Sequence, residues 1–453
     1  MLIKEEAGKL KFIKLEPVQI LALGFAAVIL IGALLLCLPI SSAEGKFTPF
    51  IDCLFTSTSA VCVTGLVTLD TGTYWSTFGQ IIIMLLIETG GLGFMTFATF
   101  FAVILGRRIS LKERLIMQEA FNAFNIQGMV RLMLYVMGIT FAIEGVGALI
   151  LMTQFIPQYG ISKGIYYGIF HSVSAFCNAG FDLIGDFKSL TPYAENVTLN
   201  LTICALIVIG GIGFAVITEV INNRGFKRLS LHTKVVLTTT ALLILSGAVL
   251  FFLLEYANPK TMGALSFKGK VLASVFASIT PRTAGFNTIS TSDMTTAGKF
   301  LTIILMFIGA SPGSTGGGIK TSTFTLLFMT VISVIRGRED TEIFKKRIGR
   351  SLVYRALAII IIAFGLVILT TMVLSITQDG DFVEFLYEAT SAFGTVGLSL
   401  GLTTRLNIIG KIIIILTMYS GRVGPLTLTL AFARKAQVAN SNIKYPEDKL
   451  LVG

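Results

Sequence analysis

Long apolar runs alternate with short polar stretches along almost the whole chain. A helix needs about 20 mainly apolar residues to span a bilayer. Eight runs are long enough, near 17–40, 78–105, 130–155, 197–221, 233–255, 300–335, 351–376 and 408–433. This pattern predicts an all-helical, polytopic membrane protein with eight spans.

Four shorter and less apolar stretches lie between the members of successive pairs of spans. They cover 49–62, 164–177, 268–281 and 381–393 and end in small and polar residues. Apolar segments of about 10–14 residues are too short to span and are typical of buried or re-entrant helices. We therefore predict four re-entrant helices, each returning to the side from which it enters.

Composition and charge agree with a membrane protein. Only 13% of residues are charged, against about 25% in soluble domains. The segments that would share a side with the termini hold 22 of the 36 Lys and Arg: 1–16, 106–128, 222–234, 336–350 and 434–453. The positive-inside rule therefore predicts cytoplasmic termini, and most of the net charge of +11 is a topology signal rather than a sign of nucleic-acid binding. Two histidines and five scattered cysteines predict neither a metal cage nor a disulfide framework.

Internal repetition organises the chain. The four short stretches end at Gly65, Gly180, Gly285 and Gly397, spaced 115, 105 and 112 residues apart. A Ser-Ala pair precedes three of these glycines, and a large apolar residue follows all four. A second glycine motif recurs later in each unit, as Thr89–Phe94, Ile209–Phe214, Ser420–Pro425 and a wider version that begins at Ile308.

Two marks recurring in the same order predict four pseudo-repeats of span, re-entrant helix and span around one central pore. The predicted divisions are 1–115 with the N-terminal tail, 116–227, 228–347 and 348–453 with the C-terminal tail.

The recurring glycines favour an ion filter over four separate turns. Non-helical backbone at membrane depth must line a water-filled path or be buried in protein. Four such segments can form a ring of carbonyls that replaces an ion's hydration shell, and glycine allows the required left-handed conformation. The partly negative C-terminal ends of the short helices would favour a cation. The predicted filter residues are Val63, Thr64, Gly65, Asn178, Ala179, Gly180, Thr283, Ala284, Gly285, Thr395, Val396 and Gly397.

The wide third motif predicts a plug below the filter. Residues 309–318 contain five glycines and one proline, so they cannot remain a regular helix. Arg422 stands where the first two repeats have Gly91 and Gly211, and its charge would oppose a permeating cation. The predicted gate residues are Gly309, Ala310, Ser311, Pro312, Gly313, Ser314, Thr315, Gly316, Gly317, Gly318, Lys320 and Arg422.

For several charged residues the sequence allows two interpretations. Arg422 could instead form an ion pair between two helices, and Lys320 is either a second gate charge or a snorkelling side chain. Glu88 and Glu144 are either proton or sodium carriers or partners of buried cations. Arg282 either tunes the outer mouth or bonds to pore-helix carbonyls.

No catalytic grouping of Ser, His and Asp is visible, so we do not expect an enzyme. The glycine-rich stretch before Lys320 fails as a phosphate-binding loop because Ile319 separates glycine from lysine.

The filter stretches, the interrupted third motif and Arg422 resemble those of the Trk/Ktr/HKT superfamily of cation transporters. The resemblance covers essentially the whole chain, and within the superfamily it is greatest to the membrane subunits of bacterial Ktr potassium-uptake systems. It implies a potassium-permeable filter at Gly65, Gly180, Gly285 and Gly397, with residues 309–318 and Arg422 as an intramembrane gate. Potassium would be the transported ion, sodium a candidate activator, and no covalent cofactor is expected.

The resemblance also implies a homodimer in the cell membrane, docked on a cytosolic ring of RCK-type subunits that bind ATP or ADP. This chain itself would bind no nucleotide. Its basic segments 107–114, 224–234 and 336–350 are candidate docking surfaces or contacts with anionic lipid. The alternative function is a coupled symporter of potassium with sodium or protons, which would use inverted repeats. The repeats predicted here share one orientation, which favours a pore.

Overall fold

The computed structural model describes residues 16–105, 109–121, 129–223 and 225–424, and nearly all of their regular secondary structure is helical. The helices are α1 Pro17–Leu36, α2 Phe50–Val61, α3 Thr77–Leu92, α4 Phe94–Ile104, α5 Leu111–Phe121, α6 Met129–Tyr159, α7 Ile161–Phe176, α8 Val197–Ile212, α9 Phe214–Asn222, α10 Leu231–Glu255, α11 Phe267–Ile279, α12 Thr296–Phe307, α13 Thr321–Ile335, α14 Arg350–Thr377, α15 Phe382–Gly394 and α16 Ile408–Val423. A two-stranded antiparallel hairpin, β1 Thr341–Ile343 and β2 Lys346–Ile348, lies between α13 and α14.

One long apolar helix opens each repeat. Within the described ranges, α1, α6, α10 and α14 are individually long and apolar enough to cross a membrane. Large apolar side chains cover their outer faces, for example Leu34, Leu149, Leu242 and Ile361, which are 61–65% exposed. A helix surface of this kind is stable against lipid and unfavourable in water.

The second span is broken rather than continuous in the first three repeats, and in the fourth the described residues end at Gly424. Gly93 separates α3 from α4, and Gly213 separates α8 from α9 at an angle of 97°. Residues 308–320 separate α12 from α13, and α16 ends at Gly424. Gly93, Gly213 and Gly424 all have φ between 84° and 98°, which a residue without a Cβ adopts at low cost. In the first three repeats, the second run predicted from hydropathy is therefore a pair of half-helices. Hydropathy alone does not show such a break.

The short helices α2, α7, α11 and α15 match the four predicted re-entrant segments closely. Three of them pack on the preceding span through the same contact, in which a serine hydroxyl donates to a carbonyl: Ser57 to Ile29 (2.7 Å), Ser172 to Glu144 (2.7 Å) and Ser278 to Ile244 (2.8 Å). A glycine follows each acceptor three residues later, at Gly32, Gly147 and Gly247, and a Cβ there would collide with the serine hydroxyl. Small residues at such crossings let helix backbones approach closely.

The predicted limits between repeats fall in connecting elements. The limit at 115/116 lies in α5, that at 227/228 lies in a short turn of 3₁₀ helix, Phe226–Arg228, and that at 347/348 lies in β2. The division into four domains stays a prediction. The predicted cytoplasmic tails, 1–15 and 425–453, lie outside the described residues, as does part of the basic segment 107–114.

An ion pair joins the first repeat to the last. Lys411, in the first turn of α16, donates to Asp52 in the first turn of α2 at 2.6 Å, and their side chains are 16% and 11% exposed. The two residues lie 359 positions apart, so this contact forms only when the bundle closes.

We expect Lys411→Met to destabilise the protein by about 1–3 kcal/mol, because Asp52 would lose a charge-assisted hydrogen bond in a poorly hydrated place. Denaturant unfolding in detergent micelles measures the change. Lys46→Met is the matched control, since the Lys46–Glu44 pair is 75% and 70% exposed and its loss should leave the unfolding midpoint unchanged. Equal stability of the two variants would contradict a closing role for the pair.

Candidate ion pathway

The backbone takes an unusual form directly after each short helix. The glycines Gly65, Gly180, Gly285 and Gly397 have φ of 90°, 70°, 82° and 92°. The residues two positions earlier are also left-handed, although none is glycine: Val63 (49°), Asn178 (59°), Thr283 (74°) and Thr395 (50°). Such conformations cost energy for residues with a side chain and concentrate at functional sites. Their recurrence at one position in four repeats indicates a required backbone path.

The four segments form a closed ring. A Cβ built on each glycine would collide with the carbonyl of the residue before the next repeat's glycine. The contacts run from Gly65 to Ala179, from Gly180 to Ala284 (2.6 Å), from Gly285 to Val396 (2.5 Å) and from Gly397 to Thr64. The last contact returns to the first repeat, so the order around the ring is the order in the chain. No position in the ring has room for a side chain.

The serines of the Ser-Ala pairs, and Thr280 in the third repeat, hydrogen-bond to the backbone of the ring. The N–H of the residue before each filter glycine donates to the carbonyl of a hydroxyl-bearing residue: Thr64 to Ser59 (2.8 Å), Ala179 to Ser174 (2.8 Å), Ala284 to Thr280 (2.9 Å) and Val396 to Ser391 (2.9 Å). The hydroxyls of Ser59 and Ser391 also accept from the glycine N–H groups, at 3.0 and 3.1 Å. Those of Ser174 and Thr280 donate instead to the carbonyls of Phe181 and Phe286. In the third repeat the acceptor lies four residues before the donor rather than five, because that segment is one residue shorter.

Arg282 follows Thr280 in that shorter segment and is buried. The hydrogen bond described for its guanidinium goes to the hydroxyl of Thr240 on α10, at 3.3 Å. This partner is neither the outer mouth nor a pore-helix carbonyl, the two places considered from the sequence.

All four filter glycines open into one outer cavity. Its volume is about 510 Å³, and its lining includes Asp70 and Asp182. The carboxylate of Asp70 accepts from the backbone N–H groups of Thr73, Asp186 and Phe187, so it joins the outer loops of repeats one and two. Burial raises the pKa of Asp182 to about 7, although the N–H of Ile184 donates to its carboxylate at 3.0 Å and Asp70 lies near. The cavity is therefore an outer mouth above the ring, lined by two acidic side chains and one basic side chain, that of Lys188.

The glycine-rich loop between α12 and α13 is tied to other repeats. At its base, the N–H of Gly309 donates to the carbonyl of Ile319 at 2.8 Å. Further along, the N–H of Ser311 donates to the Gly211 carbonyl at 3.0 Å, and the hydroxyl of Thr315 donates to the Phe176 carbonyl at 3.1 Å. These bonds attach the loop to the second repeat, where α8 ends and the filter begins.

The tip of this loop lies against the inner side of the ring. The N–H of Gly317 donates to the hydroxyl of Thr395 at 3.1 Å. A Cβ on Gly317 would lie 2.9 Å from Cγ2 of Thr395, and one on Gly316 would collide with the hydroxyl of Thr283. Thr283 and Thr395 are both predicted filter residues, so the structure brings the predicted filter and the predicted plug into direct contact.

Arg422 binds carbonyls from two other repeats. Its Nη1 donates to Thr315 in the loop, and its Nη2 donates to Gly90 and, at 3.0 Å, to Gly91 at the end of α3. In the described part of the chain, no carboxylate lies within 4.0 Å of this guanidinium, so the ion pair considered from the sequence is not found. Lys320 folds back to donate to the Gly316 carbonyl at 2.7 Å rather than reaching outward. Both cations therefore brace the loop.

Sequence reasoning missed the carbonyl partners of this assembly. The Gly-Gly pairs at 90–91 and 210–211 were visible as a repeat, but not their role as acceptors for Arg422 and the loop. Ser57 and Ser172 lie eight residues before their filter glycines and Ser278 lies seven before, so an alignment of the repeats that allows one deletion could have found them.

Comparison with known proteins gives consistent matches over the whole chain. Residues 5–443 match the family model TrkH, described as a cation transport protein. The Ktr system potassium uptake protein B of Bacillus subtilis is 45% identical over 444 residues, covering 98% of each chain. The potassium/sodium uptake protein NtpJ of Enterococcus hirae is 44% identical, covering 97% of this chain and 98% of the relative.

A solved structure shares the fold. The potassium transporter TrkH from Vibrio parahaemolyticus superimposes with a TM-score of 0.74 at 18% identity, covering 94% of this chain and 87% of that one. The predicted all-helical, polytopic membrane fold is thereby confirmed.

Proposed function

The chain belongs to the TrkH family of cation transport proteins, and from this premise we propose that it takes up potassium through a gated pore in the cell membrane. The observation that carries the proposal is the closed ring of four glycines below one outer cavity. Carbonyls arranged in this way replace the hydration shell of a bare cation. A membrane potential of about 100 mV supplies about 2.3 kcal/mol per charge, enough for roughly fortyfold accumulation.

The filter is proposed to consist of the backbone at Val63–Gly65, Asn178–Gly180, Thr283–Gly285 and Thr395–Gly397. Potassium is the substrate and binds at the four glycines, and sodium is a proposed activator. Support comes from the relatives, which include a potassium uptake protein and a potassium/sodium uptake protein. A coupled symporter remains the alternative, but a ring whose order follows the chain suits a pore better than two inverted halves around a midplane site.

The gate is proposed to be residues 309–318 with Lys320 and Arg422. The loop lies under the ring and is held by backbone bonds, by Lys320 and by Arg422. A fixed cation beside the path also raises the energy of a potassium ion there. These residues therefore oppose a potassium ion in two ways, sterically and electrostatically.

Control of the gate is proposed to come from the cytoplasm. Relatives carry the name of a Ktr system, which suggests that the chain works with a regulatory subunit. We assign it a homodimeric membrane assembly with cytoplasmic termini, docked on an RCK-type ring that binds ATP or ADP. The basic connections 224–234 and 336–350, between repeats, are the candidate docking surfaces.

The filter is tested by Gly397→Ser in proteoliposomes of the purified chain with an imposed voltage. A side chain there collides with the Thr64 carbonyl, so we expect potassium flux or its preference over sodium to fall roughly tenfold or more, about 1.4 kcal/mol. Gly45→Ser is the control, because Gly45 is also left-handed (φ 69°) but has no atom within 4 Å of the added Cβ. Unchanged selectivity in Gly397→Ser would refute the filter.

The gate is tested by Arg422→Ala and, separately, by deletion of residues 313–318. Each change removes contacts that hold the loop under the ring, so we expect potassium flux through the isolated chain to rise severalfold. Arg355→Ala removes an exposed arginine of α14 and should leave flux unchanged. A folded deletion variant that conducts no more than the parent chain would count against a gate in this loop.

The mouth is tested by its pH dependence. Because the pKa of Asp182 is raised to about 7, its carboxylate is charged above that pH and neutral below it. Potassium flux at low external potassium and low ionic strength should therefore decline as external pH falls through about 7. In Asp182→Asn the flux should be low and nearly independent of pH over this interval. An unaltered pH profile in that variant would exclude Asp182 as the cause.

A further inference from the structure

A cluster of two carboxyl groups and a thiol lies behind the second filter segment, outside the proposed ion path. Glu88 on α3, Glu144 on α6 and Cys177 at the end of α7 are 7%, 5% and 0% exposed. The thiol lies 3.4 Å from Oε2 of Glu88 and 3.9 Å from Oε1 of Glu144. One potential ligand atom from each residue lies within 4.8 Å of the other two.

The other repeats show that the fold does not require these acids. Glu144 supplies the carbonyl that accepts from a short-helix serine, and the matching residues are Ile29 in the first repeat and Ile244 in the third. Glu88 directly precedes the second glycine motif, where the other repeats have Val208, Phe307 and Tyr419. Apolar side chains therefore satisfy the same packing positions elsewhere in this chain.

The cluster also has an unsatisfied acceptor. Oε1 of Glu88 is buried and has no hydrogen-bond partner within the described ranges. The ion pairs described for residues 16–105, 109–121, 129–223 and 225–424 include none to Glu88 or Glu144, and Arg422 bonds to carbonyls instead. Two adjacent carboxylates in such a place repel each other and are costly without a balancing cation. Either a proton or a metal ion must supply that charge.

We propose that Glu88, Glu144 and Cys177 form a binding site for a divalent cation of the zinc class. Zinc and cadmium favour thiolate together with carboxylate oxygens, at about 2.3 Å to sulfur and about 2.0–2.2 Å to oxygen for zinc. Two ligands on one tetrahedral zinc ion are then about 3.3–3.7 Å apart, close to the sulfur–oxygen distances observed here. Alkali cations are a poorer match, because they gain little from a thiolate.

Metal at this site would join three elements that position the filter and the gate. Cys177 directly precedes the filter residue Asn178, and Glu88 lies one turn of α3 from the carbonyls that hold Arg422. Gly91 packs on the thiol, where a Cβ would lie 2.7 Å from Sγ. The bound ion would therefore restrain the second filter segment against the first repeat without entering the ion path.

The test is cadmium binding by the purified full-length chain in detergent. After prolonged dialysis against cadmium with excess potassium chloride, we expect one tightly bound ion per chain, a thiolate-to-cadmium absorption band and a higher unfolding temperature. Excess potassium displaces cadmium from a cation filter but not from this cluster. These readouts do not depend on potassium flux. The metal-site proposal can therefore be refuted while the proposed potassium pathway is supported, and the pathway can be refuted while the metal site is supported.

Near-isosteric variants localise the ion. Cys177→Ser, Glu88→Gln and Glu144→Gln should each abolish the stoichiometric ion and the rise in unfolding temperature. Cys62→Ser is the matched control, because Cys62 occupies the same position in the first repeat and is equally buried. Two results would overturn the site: no bound cadmium in the parent chain, or an ion retained both by Cys177→Ser and by one of the two glutamine variants. A proton shared by the two carboxyl groups would then be the balancing charge.

Discussion

The structure depends on satisfying backbone groups where helices break at membrane depth. Lipid offers these groups no hydrogen-bond partner, so each break must be closed by protein. At the filter, the Ser59, Ser174, Thr280 and Ser391 carbonyls accept from the backbone just before each glycine. At the second-span breaks, the freed carbonyls of Gly90, Gly91, Gly210 and Gly211 receive Arg422 and the loop. The predicted filter and the predicted plug therefore depend on each other. The loop hydrogen-bonds to carbonyls beside the second filter segment, and the Thr395 hydroxyl of the fourth segment accepts from the loop.

Approximate fourfold repetition makes the ring, and local departures from it make the protein asymmetric. At the position three residues before the filter glycine, the repeats have Cys62, Cys177, Arg282 and Gly394. The third repeat is one residue shorter there and also carries the wide loop, and its supporting carbonyl is that of Thr280. The second repeat alone combines its cysteine with two buried acids. Features common to all four predicted filter segments recur at corresponding positions, whereas the wide loop, Arg422 and the cluster of Glu88, Glu144 and Cys177 each occur once.

Much of this architecture follows from the sequence because it is local and repeated. The short helices, their terminal glycines and the break at Gly309–Gly318 are visible as length, composition and spacing. The breaks at Gly93 and Gly213 are not visible in this way, because the hydropathy of an apolar run is the same whether its helix is straight or, as at Gly213, bent by 97°. The partners of Arg422 and the meeting of Glu88, Glu144 and Cys177 depend on contacts between repeats. Residues 88, 144 and 177 lack the close spacing of familiar metal motifs, so a search along the chain predicts no metal site there.

The bonds that hold the loop set the free energy that a regulator must supply. Neutral hydrogen bonds contribute about 0.5–1.5 kcal/mol each, and those from a charged donor about 1.5–3 kcal/mol. The loop is held by the bonds of Ser311, Thr315 and Gly317 and by Arg422, which together amount to on the order of 5 kcal/mol. A shift from about 1% to about 99% open needs about 5.5 kcal/mol of differential binding. Thermal motion alone would therefore rarely free the loop, whereas a cytosolic partner that binds only the open state could. The proposed gate, held by backbone bonds, is therefore strong enough to stay closed and weak enough to be opened by one binding event.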